Sequence, residues 1–302
     1  MALTARPQKE DLFMETRWLY TTSENFPALV EASAKTCIIP IGCVEKHGLH
    51  LPLGTDNIHC THIAIEASKL ETVCVFPTFY FGDVPGGPAM PAGSISIPVK
   101  LEMELLENLC DQIGRNGFEK IILFNGHGGN NPWLNTFMRD IMNRKKSYTL
   151  CLVMIKLQAP HKMAEYLEEH GAGSIPELTP EDEKLLADYH EMGMKIGHGG
   201  MGETSYLMGI CPESVKMDRL GIVSGLSTGE TDYLKEAGIT VRDGGWNTNY
   251  PNALSGHDPV GCNERIGKAA VRLETERLAH AIKVVKEDKN MLRWHAEFQK
   301  GM

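Results

Sequence analysis

Cys37-Ile38-Ile39-Pro40-Ile41-Gly42-Cys43-Val44-Glu45-Lys46-His47-Gly48-Leu49-His50 begins as five apolar residues and ends among carboxylate and imidazole side chains. A short apolar run of this kind reads as a buried strand, and its polar tail puts chemistry where the strand stops. The flanking sequence repeats the theme. Asn57 to Leu70 reads as a helix and Val73 to Phe79 as the next strand. Leu101 to Asn116 spaces Leu105, Leu106, Leu109 and Ile113 at helical intervals, and Lys120 to Phe124 is a strand that enters Asn125-Gly126-His127-Gly128-Gly129-Asn130. After Pro132 a helix to about Arg144 leads to a strand over Thr149 to Ile155. Strands alternating with helices specify an α/β fold, here a three-layer α/β/α arrangement around a mostly parallel sheet.

Residues 157–197 differ in character. They are charged, with helical stretches at Met163 to Glu169 and Pro180 to Ile196 separated by Gly171-Ala172-Gly173 and Pro176. An insertion between a sheet strand and a site loop is expected to be a lid or an oligomer contact. Thr204 to Ile210 resumes the apolar pattern, Val223 to Gly256 reads as long surface loops, and Asn263 to Asp288 reads as one long helix. The length suffices for a full core, and residues 1–302 are expected to form one domain.

A formal net charge of -9 argues against a nucleic-acid or anionic membrane surface and leaves a small molecule as the expected partner. Eight cysteines without a CxxC pair, several in apolar runs, suit reduced, buried thiols in a cytoplasm. Met1 to Asp11 lacks the apolar core of a signal peptide, and no uncharged apolar run approaches the ~18 residues of a membrane span. A soluble, cytoplasmic protein is the expectation.

Glu45 and His47 are two residues apart, so both point to one side while the backbone stays extended. Asp56 follows a loop, Gly48 to Gly54, that can fold back; alone it would read as a helix N-cap. His127 sits in a glycine-rich turn directly after a strand. Its glycines do not make GxGxxG and no GK[ST] follows, so a phosphate cradle is the weaker reading. His198 and Glu203 flank Gly199-Gly200, where the charged insertion returns to the fold. His50 and His257 lie next to the motifs and can orient ligands, whereas His59 and others in helical patterns read as packing or solvated groups. Imidazole with carboxylate suits zinc, manganese or iron, and a bound metal lowers the pKa of water from ~15.7 to ~7. The three stretches therefore read as the divalent metal site of a hydrolase.

Two alternatives compete. Gly225-Leu226-Ser227-Thr228-Gly229 fits the G-x-S-x-G nucleophile elbow, with Asp243 or Asp258 and His257 or His280 later in the chain. That elbow needs a strand before Ser227 and a helix after it, and the surrounding composition reads as a loop. The other alternative is a non-catalytic protein that binds metal or a small ligand.

The three motifs together resemble the creatininase (creatinine amidohydrolase) family. Its hallmark, Pro-x-Gly-x-x-Glu-x-His-Gly-x-His-x-x-x-x-x-Asp, is matched from Pro40 to Asp56, and Asn125 to Asn130 and His198 to Ser205 match two further motifs in order. The resemblance covers roughly residues 35–285. It implies a homohexamer with a dinuclear metal centre that hydrolyses amide C–N bonds. Carried over, Asp56 bridges the two metals, with Glu45 and His127 on one and His47 on the other. His50, Asn125 and Asn130 stand behind the ligands, and His198 matches the histidine that transfers the proton. Two positions depart from the creatinine-cleaving members. Gly129 stands where they carry a glutamate ligand, so Glu203 or a water is expected to fill that place, and Met194 stands where they hold the substrate ring with a tryptophan. Creatinine is therefore not the expected substrate. The family also includes a deformylase acting on a ribosylated pyrimidine intermediate, which leaves a formamide or another small cyclic amide open.

Overall fold

The computed structural model describes residues 14–86, 90–155, 160–241 and 245–302. Four strands, β1 (Thr36–Ile41), β2 (Cys74–Val75), β3 (Lys120–Asn125) and β4 (Thr149–Met154), form a parallel sheet in the order β2-β1-β3-β4. The register pairs Thr36 with Lys120 and Ile41 with Asn125. The two strands therefore end level, and the chain leaving Ile41 runs beside the chain leaving Asn125.

Both faces of the sheet are buried, as the continuous apolar runs require. Ile38, Ile122 and Phe124 point to one face, into a core with α2 (Thr55–Leu70), α7 (Met201–Ile210) and α10 (Glu264–Glu287). Cys37, Ile39, Ile41, Ile121 and Leu123 point to the other, against α1 (Phe26–Ala32), α3 (Val99–Arg115) and α4 (Asn131–Asp140). This is a three-layer α/β/α arrangement.

The second strand is shorter than Val73 to Phe79. Pro77 has no N–H for a ladder, and beyond Val75 only an isolated bridge joins Phe79 to Ile41. The helix after Pro132 stops at Asp140 and tightens into a 3-10 turn over Ile141–Asn143. In the insertion, α5 (His161–His170) and α6 (Pro180–Glu191) give Met163, Ala164, Leu186 and Tyr189 to the core shared with α2, α7 and α10. Residues 157–159 of that insertion lie outside the described residues. The loop-like region holds two short helices, α8 (Asp232–Glu236) and α9 (Gly245–Asn249), and its later part lines a cavity as well as the surface. Asn263 caps α10 by accepting from the N–H groups of Arg265 and Ile266, and a further helix, α11 (Asn290–Lys300), ends the chain. None of the described helices is long and apolar enough to cross a membrane, and all eight cysteines are free, six of them buried.

Candidate metal centre

The site lies outside the carboxyl ends of β1 and β3, where parallel sheets leave a crevice. Past Ile41 the extended chain turns Glu45 and His47 to the same side, and the loop after His47 brings Asp56 back in the first turn of α2. Gly42 makes that return possible. A Cβ there would clash with Asn57 Oδ1 and lie 2.8 Å from the carbonyl carbon of Asp56. Past Asn125, His127 enters from the neighbouring strand, and Glu203 enters from the first turn of α7.

These side chains converge. His127 Nδ1 lies 2.9 Å from Asp56 Oδ2 and 3.2 Å from Glu45 Oε1. His47 Nε2 lies 3.5 Å from Asp56 Oδ2 and 3.5 Å from Glu203 Oε2. Three overlapping sets, Cys43/Glu45/Asp56/His127, Glu45/His47/His198 and His47/Asp56/Glu203, each bring their donor atoms within 4.8 Å of one another. Asp56 belongs to two of these sets, between His127 on one side and His47 on the other.

The other ring nitrogens fix which atoms face inward. His47 Nδ1–H donates to Glu45 O at 3.1 Å and His127 Nε2–H to Asp83 O at 3.0 Å, which leaves His47 Nε2 and His127 Nδ1 as lone pairs aimed into the cluster. Glu45 Oε1, His47 Nε2 and Asp56 Oδ1 are buried without a hydrogen-bond partner. Leaving such atoms unsatisfied costs roughly 1–3 kcal/mol each, so the donor set is built for a cation, and carboxylate with imidazole fits zinc, manganese or iron.

Without metal the cluster would hold protons. Burial works against a charged His47, but the carboxylates of Asp56, Glu203 and Glu45 overcome it and hold its pKa at about 10. His127 is likewise disfavoured by burial yet held at about 9 by Asp56 and Glu45. Burial also works against the charged Asp56, and His47 and His127 reverse it, keeping its carboxyl well below the usual range.

Asn125 and Asn130 brace the His127 turn. Asn125 Oδ1 accepts from the His127 N–H at 3.1 Å and from Asn130 Nδ2 at 3.0 Å, while Asn130 Oδ1 accepts from the Asp83 N–H at 2.9 Å and Trp133 Nε1 at 3.0 Å. His50 bonds Thr204 Oγ1 at 2.9 Å, tying the loop before Asp56 to α7, and burial lowers its pKa to about 4. Gly129 leaves no room for a side chain: a Cβ would overlap His127 Nε2 and lie 3.0 Å from Asp83 O. Glu203 is held on the His47 side by the Gly199 N–H, 2.6 Å from its Oε2.

His198 stands at the edge of the cluster. Its ring stacks on His47 with centroids 4.0 Å apart, its Nε2–H donates to Lys46 O at 2.6 Å, and its Nδ1 faces Glu45 Oε1 at 3.5 Å. Beside these groups opens a cavity of about 490 Å³, lined among others by Val84, Pro91, Met154, Tyr206 and Trp246.

Ser227 is elsewhere. It is exposed in a loop, and its Oγ accepts from the Gly229 N–H at 3.2 Å; among the described residues no strand leads directly into it. His257 is engaged by the Lys195 N–H at 2.9 Å, and Asp243 lies outside the described residues. Three groups at the site carry little signal in the sequence. Cys43, 3.0 Å from Asp56 Oδ2, continues the two-residue spacing of Glu45 and His47 but resembles any strand thiol. His59 borders the cavity from a helix, its Nε2–H donating to Gly126 O at 3.0 Å, and Trp246 comes from a loop-like stretch.

The family model for creatininase, described as creatinine amidohydrolase, matches residues 20–282. The chain belongs to the creatininase family. The creatinine amidohydrolase of Pseudomonas putida is 22% identical over 207 residues, covering 66% of this chain and 73% of that protein. The 2-amino-5-formylamino-6-ribosylaminopyrimidin-4(3H)-one 5'-monophosphate deformylase of Methanobrevibacter ruminantium is 30% identical over 168 residues, covering 53% and 68%. The mycofactocin precursor peptide peptidase of Mycolicibacterium smegmatis is 28% identical over 217 residues, covering 69% and 68%. Among solved structures, the Mn creatininase has the same fold, with a TM-score of 0.67 and 17% identity over 91% of this creatininase-family chain and 100% of that one.

Proposed function

We propose that this creatininase-family protein is a metal-dependent amidohydrolase that cleaves a C–N bond of a small cyclic amide or a formamide. The observation that carries the reading is the convergence of Glu45, His47, Asp56, His127 and Glu203, with three buried orphan atoms, beside His198 and a cavity of small-molecule size. In this reading Asp56 would be shared between two ions, Glu45 and His127 would help hold one, and His47 and Glu203 would help hold the other, with Glu203 in the place that Gly129 leaves without a ligand. Divalent ions bound there, drawn from zinc, manganese or iron, would polarise the substrate carbonyl and acidify a water.

The remaining steps belong to side chains. With Nε2–H committed to Lys46 O, His198 exchanges its proton at Nδ1. Nδ1 takes a proton from the attacking water and passes it to the leaving nitrogen as the C–O bond forms and the C–N bond breaks. His47, stacked on the ring, holds it in plane. The reading extends to a single domain over 1–302, with residues 157–197 as a lid or oligomer contact, and to a cytoplasmic homo-oligomer, a hexamer by the family resemblance.

The test is a screen of small amides, lactams, formamides and, because of the peptidase relative, short peptides. Activity should vanish with a chelator and fall by roughly a hundredfold or more in His198→Ala, the scale of losing a general acid or base. Ser227→Ala should stay near wild type. Labelling of Ser227 by a fluorophosphonate with activity intact under chelation would replace this reading with the serine one. Metal and ligand binding without any turnover would reduce it to a binding protein.

A further inference from the structure

Met194, at the position where creatinine-cleaving relatives place a tryptophan, turns away from the site. Its side chain packs against the main core, and its carbonyl accepts from His161 Nε2–H at 2.9 Å. An aromatic ring reaches the cavity from a different element. Trp246 on α9 lines it, meets the His198 ring edge to face at 5.4 Å and 87°, and leans on Tyr250 at 5.2 Å. The helix that carries it is anchored: Asn249 Oδ1 accepts from the Thr231 N–H at 3.1 Å and Asn249 O from the Thr228 N–H at 3.0 Å. Even so, Trp246 remains 40% exposed, so ring surface is left for a ligand.

From this placement, and resting on the amidohydrolase reading above, we infer that Trp246 is the specificity-determining wall of the cavity, selecting substrates with a flat π-faced group beside the scissile C–N bond. The class is an aryl, heteroaryl or conjugated cyclic amide. A ring resting on Trp246 lies one aromatic contact from His198, so the bond next to that ring falls within range of the proton at Nδ1. Aromatic pairs prefer stacked or edge-to-face contacts with centroids ~4.5–7 Å apart, and one such contact is worth roughly two- to tenfold in affinity beyond its area.

The test compares formanilide with N-cyclohexylformamide, which differ in the flatness of one six-membered ring. KM is measured for both in wild type, Trp246→Leu and Trp246→Phe, and binding is followed separately by titration calorimetry. Wild type should favour formanilide by roughly fivefold or more in KM. Trp246→Leu, which keeps apolar bulk, should lose most of that preference, and Trp246→Phe should keep most of it. The KM ratio decides, because a disturbed His198 would change kcat for both substrates alike. If neither formamide is turned over, the Kd ratio of the two from titration calorimetry takes the place of the KM ratio, and the hydrolase reading is decided separately by the amide screen. An unchanged KM ratio in Trp246→Leu, or no binding of formanilide to wild type, overturns it.

Discussion

Asp56→Ala removes the carboxylate that lies nearest both halves of the donor cluster, at 2.9 Å from His127 Nδ1 and 3.5 Å from His47 Nε2, where Glu45 Oε1 stands at 3.2 Å and 4.0 Å. Glu203→Gln touches only the His47 half, at 3.5 Å. An ion present at ~100 times its Kd stabilises the native state by about 2.7 kcal/mol, so two ions contribute about 5 kcal/mol. At roughly 2 °C per kcal/mol for a chain of this length, metal should raise the Tm by roughly 10 °C. Asp56→Ala should abolish that increment, and Glu203→Gln should keep about half. The assay is thermal unfolding of each variant after chelation and again after metal is restored at a buffered free concentration, with bound metal counted in parallel. The increment is compared rather than the absolute Tm, because His47 and His127 also lose a buried partner in Asp56→Ala. Equal loss of the increment in the two variants, or loss in neither, refutes the bridging role.

Creatinine turnover should be negligible, since Gly129 supplies no ligand and Met194 packs against the core; robust creatinine hydrolysis by the wild type would contradict this. Gly42→Ala should cost at least about 1–3 kcal/mol by overpacking and displace Asp56, read as a lower urea midpoint and reduced metal content, and wild-type values for both would count against the argument. The chelator-treated protein should lose Tm as pH rises from 7 to 10. His47 and His127, held at about 10 and about 9, contribute stability that is complete below the ordinary histidine value near ~6.5 and lost as pH climbs through their raised values. Metal takes the place of those protons and should flatten or reverse the slope; a metal-free Tm that rises across this range would overturn the assignment.

The layered fold is legible because strands buried on both faces leave continuous apolar runs, and Thr36–Ile41 and Lys120–Asn125 follow them closely. Val73 to Phe79 misleads for the same reason, its apolar run continuing past the point where Pro77 ends the pairing. Glu45 and His47 are legible from their spacing. The nearness of His127 depends on the level register of β1 and β3, and that of Asp56 on the contact at Gly42, neither of which has a local pattern. His59 is buried and packs on Tyr206, as its helical pattern suggests, but a helix position does not reveal that it also borders a cavity. Trp246 is less legible still, since residues around it have no periodicity and its place is set by how α9 lies against His198.

A divalent metal centre on this chain is tested most plainly by the elemental content of the purified protein. One to two transition-metal ions per chain should be found, removable by chelator with a loss of Tm and restored by zinc, manganese or iron. Protein handled without chelator that holds no such metal, and whose Tm does not respond when these ions are added, would show that the donor cluster is not a metal site.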